Sequence, residues 1–248
     1  MAVDTNTLPV VEIFLTIQGE GNQSGQRAVF VRTGNCNLHC TWCDSWYTWD
    51  DTRERAPEKN MTAQEILSEI DRLADLKTRP LVIITGGEPL MHARRVAFKQ
   101  LLLGLRDSGV RTSIETNGTI VAPPEVDELV YHYSVSPKVF AQGDKESIRL
   151  KPKALEHYAH KARLYNLGST RKETIFKVVC QSADDVRALS SWCADLSLEP
   201  RSMWVMPEGD TFERMQGTAL AIVDEALAAG FHFSYRTHVA IWGDERGR

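Results

Sequence analysis

Three of the chain's five cysteines fall within eight residues, in the stretch CNLHCTWC from Cys36 to Cys43. Thiols at spacings of four and three on one segment can meet a metal centre together. The other two, Cys180 and Cys193, lie far off in an apolar run and a helical pattern, and read as small buried hydrophobes. The N-terminal stretch MAVDTNTLPV shows no charged-then-apolar leader, so a cytoplasmic chain with reduced thiols is expected. Disulfides are then the poorer reading of the cluster, and a metal site or catalysis the better one. A structural zinc site wants four closed ligands, and the candidate fourth, His39, sits awkwardly beside Cys40. A four-iron cluster held by three cysteines leaves one iron without a protein ligand, which suggests a substrate or cofactor bound to that iron.

C-x3-C-x2-C with Trp42 just ahead of the last cysteine resembles the radical S-adenosylmethionine (SAM) superfamily. The resemblance implies a [4Fe-4S] cluster on Cys36, Cys40 and Cys43. It also implies SAM bound to the open iron and cleaved by one electron to a 5′-deoxyadenosyl radical. GGEP, Gly86 to Pro89, follows an apolar run; two residues without Cβ allow close approach of backbone to a ligand. It resembles the superfamily element whose backbone holds the SAM amino group, and Gly87 is the residue carried over. Further SAM contacts are expected at Glu115 and Asn117 of ETNG and at Ser136, Pro137 and Lys138 of SPK. Met206, Pro207, Glu208 and Gly209 of MPEGD complete that set. Taken alone, Asn117-Gly118 is a turn signal and SPK an unremarkable loop.

The stretch EIFLTIQGEGNQSGQRAVFVRTGNCNLHCTWCDS, Glu12 to Ser45, closely resembles the 7-carboxy-7-deazaguanine synthase family. The likeness continues through TGGEP, ETNG and SPK. It implies a small-molecule pterin substrate, 6-carboxy-5,6,7,8-tetrahydropterin, held by Ile17, Gln18, Gly19, Glu20, Arg32, Thr85 and His238. It implies Mg²⁺ at Ser45, meeting the substrate carboxylate, as suits an ion that takes few protein oxygens. The implied chemistry is removal of hydrogen from C6, ring contraction, loss of ammonia and return of the hydrogen to regenerate SAM. No catalytic residue is assigned. The electron is expected from a flavodoxin or ferredoxin. A guanidinium at Arg32 suits a carboxylate; without the cysteine cluster, QGEG would read as a polar turn and Ser45 as a cap. Two alternatives share features of the pattern: a radical SAM activase of a glycyl-radical enzyme, and a zinc-binding module. The chain departs from the family near its C-terminal end, with Val239 where Lys is usual and a charged tail after it.

Strand patterns run over 28–34, 80–85, 111–116, 131–136, 174–179, 202–206 and 231–237, with helices near 96–107, 152–165, 183–196 and 212–229. Another helix is expected from the capping box Thr62-x-x-Glu65. This alternation implies an α/β fold with a parallel sheet and right-handed crossovers. Each polar motif follows a strand, at the edge where (β/α) barrels build active sites. A partial (β/α) barrel of the radical SAM type is therefore expected. It is read as a single domain over 1–248, with a substrate-binding segment 12–32 and a variable tail 239–248. The polar stretch 50–60 reads as a surface loop. A net charge of −4 gives no basic footprint for nucleic acid, and no run of about 18 apolar residues suits a membrane span. An open sheet edge points to a homodimer.

Overall fold

Period-two strands and 3.6-period helices assemble in the expected alternation. The computed structural model describes residues 5–243 and 245–248, so the first four residues of the leader expectation, and Asp244 of the tail, lie outside the described residues. In chain order come β1 (Thr7–Ile17), β2 (Arg27–Thr33), β3 (Lys59–Thr62), α1 (Ala63–Ala74), β4 (Leu81–Gly86), α2 (Val96–Asp107) and β5 (Thr112–Thr116). Then follow α3 (Pro124–Asp127), β6 (His132–Val135), α4 (Glu146–Arg149), α5 (Pro152–Asn166), β7 (Glu173–Cys180) and α6 (Ala183–Asp195). The last are β8 (Met203–Pro207), α7 (Phe212–Ala228), β9 (His232–Phe233) and α8 (Thr237–Trp242). Among the described residues one sheet runs in the order β3-β1-β2-β4-β5-β6-β7-β8-β9 and does not close. From β2 to β9 the strands are parallel. This is the unclosed barrel the alternation implies.

Three expectations change. The sheet is not wholly parallel, because β1 runs antiparallel to β2, and β3 antiparallel to β1. Pro9 and a half-buried, non-alternating pattern hide β1 in the sequence. The stretch 50–60 is not all loop: Lys59 and Asn60 pair with Val10 and Pro9, in an edge strand too polar to show a hydrophobic period. Lastly, 231–237 is not a strand throughout. Regular pairing ends at Phe233; the Ser234 hydroxyl accepts from the Gly21 amide, the Arg236 side chain donates to Glu20, and Thr237 begins a helix.

The strand period divides the sheet's two faces. Val29, Val31, Val82, Ile84, Ile114, Phe176 and Val178 face the helices, where Ile66, Ile70, Phe98, Leu101, Leu155 and Ile222 complete the main core. Ala28, Phe30, Leu81 and Ile83 face inward and pack with Phe14. One step further toward the carboxyl ends, the same inward face changes character, because Arg32 and Thr85 stand side by side in register. An apolar plug thus supports a polar rim. No helix among the described residues is long and apolar enough to cross a membrane.

The capping box forms as expected. The Thr62 amide donates to the Glu65 carboxylate at 2.8 Å, and the Glu65 amide donates to the Thr62 hydroxyl at 3.3 Å. Thr62→Ala should cost about 1 kcal/mol and lower the melting temperature by about 2–4 °C. Circular dichroism melts would measure this, with iron retention unchanged.

Candidate active site

The cysteine segment leaves β2 and is gripped from two sides. On one side the Gly87 amide donates to Thr33 O at 3.2 Å and the Glu88 amide to Asn35 O at 2.9 Å. A Cβ on Gly87 would lie 2.0 Å from Asn35 O, so only glycine permits this approach. On the other side the Thr41 amide donates to Gln142 O at 3.1 Å. Gly143, at φ +116°, lies so close that a Cβ would fall 2.0 Å from His39 O, and the Asp144 carboxylate accepts from the His39 amide. The His39 imidazole turns away toward Asp144 and is 67% exposed, so it does not join the thiols.

Cys36, Cys40 and Cys43 all line one cavity. Burial pushes the Cys36 thiol up to about 12 and raises the other two, while Lys138 pulls Cys40 and Cys43 back toward the thiolate. Trp49 Nε1 donates to Cys43 Sγ at 3.3 Å. Among the described residues no three His, Cys, Asp or Glu side chains converge as one metal ion requires. The three thiols face one cavity, and the irons of a cluster take thiolate sulfur as ligand. Cys180 and Cys193 are buried in the helix-side core, where burial raises both thiols.

Gln18, Glu20, Arg32, Thr85 and His238 line that same cavity with Ile17, Gly19 and Ser45. Gly19 packs so tightly on His238 that a Cβ would sit 2.0 Å from Nδ1. Burial alone would raise the Glu20 carboxyl, but Lys177, then Arg236 and His238, hold it well below the usual range. Lys177 pairs with Glu20 and stands 3.6 Å from Glu115. Arg236 reaches Glu20 at 3.1 Å, pairs with Asp44, and donates to Gly209 O at 2.6 Å. Arg32 donates to Glu12 at 2.6 Å and to Ser45 Oγ at 3.3 Å; Tyr47 also donates to Glu12, at 2.9 Å.

Gly87, Glu115, Asn117, Ser136, Lys138 and Met206 share the cavity with the cysteines. Glu115, expected beside SAM, is held instead by Gln18 at 3.0 Å and Thr85 at 2.9 Å, both expected on the substrate. Pro207, Glu208 and Gly209 line a neighbouring hollow with Trp42, and the Glu208 carboxylate turns outward to Arg214 at 3.0 Å. Pro137 is buried behind the wall. Glu88 ties the paired-glycine turn to ETNG. It accepts from Thr116 Oγ1 at 2.9 Å, the Asn117 amide at 2.7 Å and the Leu90 amide at 3.0 Å. Burial still pushes its carboxyl up to about 7.

Sequence reasoning passed over Lys177, Arg236, Asp44, Glu12 and Tyr47. A lysine inside the apolar run TIFKVVC was the available signal, since an unpaired ammonium is rarely buried. The others lie where only the fold brings them together.

A cavity at the strand ends of an open barrel, with three cysteines on its wall, defines the radical SAM class. A profile of the Radical SAM superfamily matches residues 30–151. The chain is 31% identical to the 7-carboxy-7-deazaguanine synthase of Halobacterium salinarum, over 97% of this chain and 93% of that one. It is 35% identical to the synthase of Hyperthermus butylicus, over 94% and 92% of the two chains. The crystal structure of QueE from Escherichia coli is similar, with a TM-score of 0.67 and 26% identity across 94% of this chain and 95% of that one. The chain belongs to the 7-carboxy-7-deazaguanine synthase family.

The glycine grip gives a direct test. Gly143→Ala forces Cβ against His39 O and strains a left-handed backbone, so iron retained after anaerobic reconstitution should fall at least severalfold. Iron analysis beside the wild type would show it.

Proposed function

We infer that the protein converts 6-carboxy-5,6,7,8-tetrahydropterin to 7-carboxy-7-deazaguanine with loss of ammonia, as a carbon–nitrogen lyase of deazapurine biosynthesis. One observation supports the reading above the others: the residues expected to hold substrate and those expected to hold the cluster line a single cavity. The donor set suits the cofactors. Cys36, Cys40 and Cys43 would hold a [4Fe-4S] cluster, whose irons prefer thiolate sulfur. With SAM bound, this pair supplies one-electron cleavage and hydrogen-atom removal.

The chain's own residues position and discriminate. The turn at Gly87, with Asn117, Ser136, Pro137, Lys138 and Met206 to Gly209, forms the SAM side. Ile17, Gln18, Gly19, Glu20, Arg32, Thr85 and His238 form the pterin side, and their hydrogen bonds move Glu115 to it. Arg32 is half-buried and bonded to Glu12 and Ser45, so its guanidinium is fixed in advance for a carboxylate. Ser45 Oγ donates to Asp44 at 3.0 Å and accepts from Arg32, leaving one lone pair for Mg²⁺. The reading includes one domain over 1–248 in the cytoplasm, with 12–32 as the substrate arm and 239–248 as a variable tail. It also includes a flavodoxin- or ferredoxin-type electron donor, and a homodimer in which the open sheet edges supply unpaired backbone.

Anaerobic incubation of reconstituted protein with SAM, dithionite and the pterin, followed by mass spectrometry, tests the activity; absence of the deazaguanine product would overturn it. Replacing Cys36, Cys40 or Cys43 by Ala should abolish cluster assembly and turnover, whereas Cys180→Ala and Cys193→Ala should retain both. Iron and sulfide analysis would separate the two groups.

Mg²⁺ titration of steady-state rates examines Ser45. Ser45→Ala should weaken the response to Mg²⁺ with iron content and SAM binding unchanged, and Ser45→Thr should largely preserve it because the oxygen remains. A titration curve for Ser45→Ala that overlays the wild type would reduce Ser45 to a turn residue.

A further inference from the structure

Lys177 is 4% exposed and belongs to none of the motifs that mark the site. It stands on the inward face of β7, between Ile175 and Val179, where an apolar side chain would complete the wall without cost. A buried ammonium costs several kcal/mol unless it is well paired. Here its partners are two carboxylates that arrive on different elements: Glu20 after β1 and Glu115 on β5, the latter 3.6 Å away. The Gln18 amide links the same two residues, since its Nε2 donates to Glu115 at 3.0 Å and its Oε1 accepts from the Glu20 backbone amide at 3.0 Å.

Glu20 sits in a water-poor wall, where a carboxylate that loses its cation takes up a proton. A protonated carboxyl presents an O–H where the ligand needs an acceptor. Around Glu20 the charged or titratable groups are Lys177 from β7, Arg236 and His238 from the C-terminal arm, and Asp44 from the cysteine segment. Lys177 itself faces Glu20, Glu115, Arg236 and, from β6, His132.

We propose that Lys177 is a positioning residue that keeps Glu20 ionised and fixes it beside Glu115, so that the two together offer acceptors to N–H donors of the substrate. This rests on the cavity being the pterin site, and it deepens that reading. The acceptor pair favours a ring edge that carries N–H groups, and it disfavours one that presents carbonyl oxygens to two anions.

The test is the pH dependence of kcat/KM, which reports ionisations of the free enzyme and substrate, for Lys177→Met and Lys177→Arg with dithionite as reductant. Lys177→Met should raise KM about tenfold at pH 7 (about 1.4 kcal/mol), with a smaller change in kcat. Its acid limb should move up toward neutrality, so that raising the pH to 9 recovers much of the loss. Lys177→Arg, which keeps the charge, should leave the acid limb in place and raise KM less. An unshifted limb in Lys177→Met, or an equal shift in both variants, would overturn the proposal in favour of simple packing.

A wild-type enzyme that turns over no pterin would instead overturn the functional reading. The positioning role is then read without ligand, from the carboxyl ¹³C titration of the protein. There Lys177→Met should move the Glu20 midpoint upward and Lys177→Arg should not; a midpoint unmoved by Lys177→Met defeats the proposal. If Lys177→Met does not fold, the Lys177→Arg titration and pH profile decide alone, since a shifted limb despite the retained charge contradicts it.

Discussion

An unclosed barrel leaves a gap between its first and last elements, and in this protein charge spans that gap. Arg236, just after β9, reaches Glu20, just after β1, and Asp44 beside the cysteines. Lys177 joins from β7. Backbone supports the same seam, where the Thr237 amide donates to Gly19 O at 2.9 Å and the Gly21 amide to Ser234 Oγ at 2.6 Å. Buried ion pairs are poor sources of net stability, yet removing one member of such a pair typically costs about 3–5 kcal/mol, because the other is left unpaired. The seam therefore acts as a specification. Only one arrangement of the arms satisfies every charge, and that arrangement builds one wall of the cavity.

The cysteine segment is fixed by a different device. It carries no regular structure of its own, and its shape comes from backbone contacts too close for a side chain, at Gly87 and Gly143. Glu88 and Asn37 extend the restraint to ETNG, as the Asn117 amide side chain donates to Asn37 at 3.0 Å. The cysteine segment is thus held by hydrogen bonds among loops, while the wall around Glu20 is held by ion pairs among strand ends.

Much of this was legible in the sequence, and for identifiable reasons. The cysteine spacing, GGEP and the capping box at Thr62 are local signals that survive folding unchanged. Helix limits near 96–107 and 212–228 follow from periodic apolar faces. β1 and β3 were not legible, because an antiparallel edge with Pro9 and polar Lys59 and Asn60 carries neither alternation nor an apolar run. Glu115 was read with its motif neighbour Asn117, but Glu115 lies within β5, where Gln18 and Thr85 take its carboxylate, whereas Asn117 lies past the strand end and turns to Asn37. Arg236 and Asp44 are separated by most of the chain, and nothing in either local stretch announces a pair that exists only across the gap.

The two-residue period of β7 has an evolutionary consequence. Phe176 and Val178 point to the helices and Lys177 to the cavity. Deleting or inserting one residue within the strand would exchange the two faces. An ammonium would then enter the aliphatic core while a phenyl ring filled the charged wall. Stability and recognition would be lost in the same event, with no intermediate sequence that keeps one of them. Length changes in this lineage should therefore collect in connections such as 167–172, on the rim away from the cavity, while strand lengths stay locked even as the residues within them drift.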